Sequence, residues 1–187
     1  MKQIIQSGKP AYGVSVQFPS PEIVEMIGEL NFDWVMLDAE HGSITADNIG
    51  PMIMAAEIRG LTPIVRPENN DPSVINKYLD RGAMGVQVPH INTADEARAV
   101  VDACLYHPQG MRGLGGGRMA DFGWGSPVSE YVKTANSEML VCVQIEDVIA
   151  VENLDEILNV PNIDAVSYTH LRAHETEADL VCRLLLE

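Results

Sequence analysis

Short apolar runs alternate with amphipathic stretches along most of this chain. Residues 11–17 (AYGVSVQ) read as a strand, and Ser20, Pro21 and Glu22 supply an N-cap, a first-turn proline and an acidic first turn for a helix to Leu30. Residues 34–38 (WVMLD) form a second run that ends in charge. Apolar Ile49, Met52, Ile53 and Ala56, with Gly60 behind them, predict a helix over 45–59 and its C-cap. A third strand is expected at 63–66 (PIVR), a helix opened by Asp71 and Pro72 over 71–80, and a fourth strand at 85–89 (GVQVP). Thr93 and Glu96 have capping-box spacing and start a helix to Leu105. A glycine-rich stretch, 109–125, then breaks the rhythm before a short helix at 128–135. Gly113 and Gly115 begin a G-x-G-x-x-G pattern that Arg118 spoils, so a mobile lid or substrate loop is expected there rather than a phosphate cradle. Residues 140–146 (LVCVQIE) predict a buried fifth strand, 150–159 its helix, and 163–166 the start of a sixth.

Strands that are short, apolar on both faces and separated by helices argue for parallel pairing with helices outside. Their C-terminal ends separate an open sheet from a barrel. Gln17, then Asp38 with Glu40 and His41, then Arg66, then Gln144 and Glu146 stand at successive strand exits. An open sheet gathers ligand groups at one switch point, whereas a barrel collects them around a ring of βα loops. The expected fold is therefore a (β/α)8 TIM barrel in the α/β class. It is incomplete, because such barrels take about 250 residues and this chain of 187 residues reaches its sixth strand near residue 165.

A net charge of -15, from 27 acidic against 12 basic residues, argues against nucleic acid or an anionic membrane surface as partner. Without an apolar run near the ~18 to 20 residues of a membrane span, and without a signal-peptide pattern at the start, a cytoplasmic location is expected. Three cysteines, Cys104, Cys142 and Cys182, suggest neither a disulfide framework nor a zinc knuckle. Asp38, Glu40 and His41 on one tight turn suit general acid/base work, with a capping aspartate as the plainer alternative. Arg66 could hold a carboxylate or oxyanion, or simply pair with a neighbouring acid. Gln144 and Glu146 share one strand face, where burial of a carboxylate calls for a cation: a hard divalent ion, or Arg66 itself. The lysines, Lys2, Lys9, Lys77 and Lys133, stand in the N-terminal lead or on helices. A metal-assisted mechanism is thus favoured over a Schiff base.

The segments 32–42 (FDWVMLDAEHG), 65–67 with 70–72, 79–83, 92–97, 110–113 and 143–146 resemble, in order and spacing, the HpcH/HpaI aldolases, class II pyruvate aldolases such as 4-hydroxy-2-oxoheptane-1,7-dioate aldolase. The resemblance implies a metal-dependent barrel that cleaves a 4-hydroxy-2-oxo acid to pyruvate and an aldehyde. It implies Mg²⁺ or Mn²⁺ on Glu146, Gln144 lining the pyruvate pocket, and Arg66 stabilising the enolate oxygen. His41 would handle the proton of the 4-hydroxyl, oriented by Asp38 and by Asp80 of a neighbouring subunit in a homo-oligomer, a hexamer in this family. A citrate-lyase-like barrel acting on a coenzyme A thioester is the alternative. The family's second metal ligand is an aspartate after the sixth strand, and here residues 166–187 (VSYTHLRAHETEADLVCRLLLE) instead resemble a translated sequencing adapter. The chain is accordingly expected to be the N-terminal part of a barrel, residues 1–165, followed by a non-native tail, 166–187. As such it is expected to be inactive, with His170, His174 and Cys182 of no functional weight.

Overall fold

All six predicted strands form, and they pair in chain order. The computed structural model describes residues 1–167. It places β1 (Gly13–Val16), β2 (Trp34–Asp38), β3 (Thr62–Arg66), β4 (Gly85–Val88), β5 (Leu140–Gln144) and β6 (Ala165–Ser167) in one sheet of order β1-β2-β3-β4-β5-β6. Each neighbouring pair is parallel. With helices between successive strands, this is a curled, incomplete (β/α)8 barrel.

The helices are α1 (Lys2–Gln6), α2 (Pro21–Glu29), α3 (Gly50–Ile58), α4 (Pro72–Leu79), α5 (Ala94–Cys104), α6 (Val128–Glu138), α7 (Val148–Glu152) and α8 (Leu154–Leu158). The caps expected for three of them are present. Ser20 accepts from the Ile23 amide, Asp71 from the Ser73 amide, and Thr93 with Glu96 completes both arms of the capping box. Three segments depart from expectation. The third helix begins at Gly50 rather than at residue 45, because the Thr45 amide bonds the Asn48 side chain at 2.8 Å and the chain turns there first. The helix expected at 150–159 breaks into α7 and α8 at Asn153, whose side chain donates to the Asn92 carbonyl at 2.9 Å. The polar lead forms α1, whose Ile5 packs with Ile64 and Leu140.

The strands have two different faces. Val35, Leu37, Val65, Val86, Val88, Val141 and Val143 join the large cluster under the helices. The alternate positions share the other face and are mixed: Trp34, Met36, Ile64, Leu140 and Cys142 are apolar, and of these Trp34, Ile64 and Leu140 pack with Ile5. Toward the strand ends the same face becomes polar at Asp38, Arg66, Gln87 and Gln144. The expectation of strands apolar on both faces thus holds for the starts and middles of β2 and β5 and fails at the strand ends, where the inner face is polar.

The glycine-rich stretch lies at the far end of the sheet from those polar groups. Helix α5 carries the chain back toward the strand starts, and the 3-10 segment Arg118–Gly123 packs there. Arg118 pairs with Glu57 at the end of α3 and reaches the Arg81 carbonyl at 3.5 Å. Between this segment, α6 and the loop before β4 lies a cavity of about 510 Å³, lined by Leu79, Met84, Arg112, Arg118, Phe122 and Met139 among others. Within one chain the stretch therefore does not cover the strand ends. Val166 and Ser167, the first residues of the expected tail, belong to β6; the rest of that tail, with His170, His174 and Cys182, lies outside the described residues.

Candidate active site

Strand β2 delivers Asp38 to its C-terminal end, and the turn that follows is built on that carboxylate. Asp38 Oδ1 accepts from the backbone amides of Glu40 and His41, each at 3.1 Å, while Oδ2 accepts from Gln17 Nε2 at 3.1 Å. Gly42 lets the turn close. A Cβ there would stand 2.3 Å from the carbonyl oxygens of both Asp38 and Gln17, a distance that side chains do not tolerate. The turn thus points Glu40 and His41 into the mouth of the half-barrel.

The parallel register sets Asp38 beside Arg66, the last residue of β3. Their side chains form a two-pronged pair, Nε to Oδ1 at 2.9 Å and Nη2 to Oδ2 at 2.5 Å, the geometry that suits guanidinium and carboxylate best. Both are buried, Asp38 fully. Burial alone would raise the Asp38 carboxyl. The Arg66 hydrogen bonds, the His41 amide and Gln17 outweigh it and hold the carboxyl below its ordinary value. Burial opposes the Arg66 charge in turn, yet Asp38, Glu40 and Glu146 keep its pKa above the ordinary arginine value. The plain reading of Arg66, a pair with a neighbouring acid, is therefore realised; Asp38 caps a turn rather than a helix, and its neighbour Glu40 is nearly buried. Each of these Asp38 contacts is accepted by the carboxylate, which leaves its oxygens engaged by donors from Gln17, Glu40, His41 and Arg66.

Two further strands complete the mouth. Gln144 at the end of β5 is fully buried; it accepts from Gln87 of β4 at 3.2 Å and donates to Glu146 Oε1 at 2.6 Å. Glu146 also accepts from the His90 amide at 3.1 Å. The His90 imidazole then stands between two carboxylates, with Nε2 3.2 Å from Glu40 Oε1 and Nδ1 3.3 Å from Glu146 Oε2. Glu40 and Glu146 are both nearly buried, 7% and 9% exposed at the side chain. Glu40 Oε2 is buried without a hydrogen-bond partner, although Arg66 Nε lies 3.3 Å away. Glu40, His90 and Glu146 each offer one ligand atom within 4.8 Å of the others.

This donor set fits a divalent cation. Three carboxylates (Asp38, Glu40, Glu146) share a largely buried space with one guanidinium (Arg66) and the His90 imidazole, an excess of acidic groups that a cation would offset. The orphaned Glu40 oxygen marks where further positive charge would be welcome.

Of the residues singled out in the sequence, Asp38, His41, Arg66, Gln144 and Glu146 meet at this mouth. The His41 imidazole is 53% exposed, with Nε2 3.9 Å from Glu40 Oε2. Asp80 does not join them within one chain. It ends α4 at the opposite end of the sheet, half-exposed, 3.4 Å from Arg112 Nη2. Two participants escaped the sequence patterns: His90, one residue beyond the apolar run of β4, and Gln87, which lies inside the fourth strand and was given no role there. Applying the strand-end rule to β4 would have found His90.

The chain matches the family model described as HpcH/HpaI aldolase/citrate lyase over residues 12–171. It is 33% identical over 165 residues to a hydroxypyruvate/pyruvate aldolase of Deinococcus radiodurans, a match that spans 88% of this chain and 59% of that protein. It is 34% identical to a 4-hydroxy-2-oxo-heptane-1,7-dioate aldolase of Escherichia coli, over 88% of this chain and 63% of that protein. The chain thus spans about six-tenths of the length of these relatives. Among solved structures, an HpcH/HpaI aldolase from Desulfitobacterium hafniense superposes with a TM-score of 0.85 at 32% identity, covering 90% of this chain and 65% of that one. The citrate synthase SbnG does so at 0.80 and 31%, covering 90% and 64%. With the motif segments in order and the strand-end cluster in place, the chain belongs to the HpcH/HpaI aldolase/citrate lyase family.

Proposed function

We propose that this chain carries the pyruvate-forming half of a retro-aldol site, in a protein that cleaves a 4-hydroxy-2-oxo acid to pyruvate and an aldehyde. The observation that carries the reading is the convergence of Arg66, Gln144, Glu146 and His41 on one mouth at the strand ends, supported by relatives named as aldolases of that type. Glu146 and Glu40 would hold a divalent ion, which when bound supplies electrophilic polarisation for the carbonyl of a 2-oxo acid.

The residues of the chain divide the remaining work. His41, exposed at the rim, takes the proton of the 4-hydroxyl. The bond between C3 and C4 then breaks, the aldehyde departs, and its electron pair passes into the enolate of pyruvate, which regains a proton at C3. Arg66 stabilises the oxygen that gains charge. Asp38 occupies Nε and Nη2, so the guanidinium is fixed in orientation and presents its Nη1 donors without reorganising during the reaction. Gln144, locked between Gln87 and Glu146, orients the bound acid. Asp80 assists His41 only from a second copy of the chain, since its own strand ends are at the other side of the sheet.

A lactate dehydrogenase-coupled assay over a panel of 4-hydroxy-2-oxo acids, with and without chelator, tests the reading. Divalent-dependent pyruvate release is expected, and its absence across the panel would sink the proposal. The roles separate in proton exchange at the pyruvate methyl group: Arg66→Ala should abolish it, while His41→Ala should chiefly damage cleavage. Equal damage to exchange with metal binding intact would show that His41 is wrongly assigned. A second reading, a thioester substrate, draws on the citrate lyase part of the family description and on the likeness to a citrate synthase. A coenzyme A requirement would select it.

A further inference from the structure

We propose that the cavity beside the glycine-rich stretch is a second ligand site, which takes a small carboxylic acid as its monoanion, with the carboxylate on Arg112 and the apolar body against Met84, Phe122 and Met139. The cavity lies at the strand starts, away from the mouth, so the proposal is independent of the retro-aldol reading.

The charge of Arg112 is poorly compensated. Its side chain is 2% exposed, and a buried cation is costly unless it is paired and hydrogen-bonded. A guanidinium offers five N–H donors. Among the described residues, Nη2 reaches half-exposed Asp80 at 3.4 Å, and Nε is buried with no hydrogen-bond partner. The Tyr106 ring, its centroid 4.8 Å from the guanidinium carbon, attracts the charge through one face but takes none of the in-plane donors. Arg112 lines the cavity. Held to an acid by one long bond, its fork can turn onto a carboxylate that enters there, the partner whose two oxygens match it best.

The wall beside Arg112 is well organised. Asn136 of α6 clasps the Tyr106 backbone with both ends of its amide, accepting from the Tyr106 amide at 2.7 Å and donating to the Tyr106 carbonyl at 2.8 Å. Tyr106 and Tyr131 then meet hydroxyl to hydroxyl at 3.1 Å. In such a pair one hydroxyl donates, and the other keeps its hydrogen for a further acceptor. Tyr131 stands on the cavity wall, where that acceptor can be a ligand oxygen.

Size and lining select the ligand. At about 510 Å³ the cavity falls within the ~300–1,000 Å³ of small-molecule pockets. Leu79, Met84, Phe122 and Met139 give it an apolar surface. Of its two arginines, Arg118 is already engaged by Glu57. Asp121 and Glu138 also stand on the wall. A dianion such as phosphate would meet their repulsion with one available cation, whereas a monoanion is balanced by Arg112 and can bury an apolar tail.

Methionine methyl NMR on the full chain tests the proposal, with hexanoate as the probe and hexanol and inorganic phosphate as controls. Met84, Met119 and Met139 report on the cavity, while Met36, on the inner face of β2 with Asp38, reports on the mouth. Expected are saturable shifts of the cavity methyls at millimolar hexanoate, with Met36 unmoved. Hexanol should bind about tenfold or more weakly, and Arg112→Met should weaken hexanoate by a similar factor. Asp80→Asn, which removes the competing acid, should tighten hexanoate binding. Circular dichroism checks that the variants are folded; if Arg112→Met is not, the hexanol comparison and Asp80→Asn decide. No shift of the cavity methyls in wild type, shifts at Met36 in their place, hexanol or phosphate binding as tightly as hexanoate, unchanged affinity in folded Arg112→Met, or weaker binding in Asp80→Asn would each overturn the proposal.

Discussion

Two arginines are buried at opposite ends of this sheet, and their surroundings could hardly differ more. Arg66, at the strand ends, meets a fully buried aspartate through two parallel hydrogen bonds and has a second carboxylate at 3.3 Å. Among the described residues, the side chain of Arg112, beside the glycine-rich stretch, meets half-exposed Asp80 at 3.4 Å and the Tyr106 ring, 4.8 Å from its centroid, and its Nε is buried without a hydrogen-bond partner there. Burial alone therefore does not mark a prepared site. What distinguishes Arg66 is that its partners come from strands whose register is fixed, so its charge is paired, aimed and rigid. Arg112 is held by loop segments, and its cation is packed more than it is bonded.

The contrast predicts unequal costs for the same substitution. Arg66→Met should destabilise the protein by about 3–5 kcal/mol, since it strands the buried Asp38 charge, as read from urea unfolding. Next in size is the acid response. Asp38 titrates below its ordinary value in the folded protein, so its contribution is full above the ordinary carboxylate range and is lost as pH falls through the lowered folded value. Asp38→Asn should therefore flatten the acid side of the stability profile, and an unchanged profile would show that the pair does not set it. Thr93→Ala, which removes one arm of the capping box at the start of α5, should cost about 1 kcal/mol and provides a scale for both ends of the molecule. Arg112→Met should cost least, about 0.5 kcal/mol or less, because Asp80 stays solvated and the lost ring contact is offset by removing an unbonded buried donor. A cost for Arg112→Met equal to that of Arg66→Met would break the comparison.

Much of the fold was legible because the signals were local. Ser20, Asp71 and Thr93 each bond an amide two or three residues ahead, so a cap can be read from the chain alone. Where the deciding contact was remote, the reading failed. Asn153 breaks its helix through a bond to Asn92, and Ile5 makes a helix of the polar lead by packing on Ile64 and Leu140. The site divides in the same way. Asp38, His41, Arg66, Gln144 and Glu146 were marked by their places at strand exits, but His90 was overlooked because the apolar run of β4 ends before it. The glycine-rich stretch was read as a lid or substrate loop from its length and composition, while its place was set by the Arg118–Glu57 pair and the direction of α5.

No helix among the described residues is long and apolar enough to cross a membrane, in line with the interrupted apolar runs of the sequence. By itself the sequence determined the alternation of elements, the caps and the kinds of side chain available at each strand end, because periodicity and capping act over a few residues. Only the tertiary structure decided which of those side chains meet. The parallel register of β2 on β3 puts Asp38 against Arg66, and the curl of the sheet brings His90 between Glu40 and Glu146. Contacts across tens of residues depend on strand pairing and packing, which no local pattern along the chain encodes.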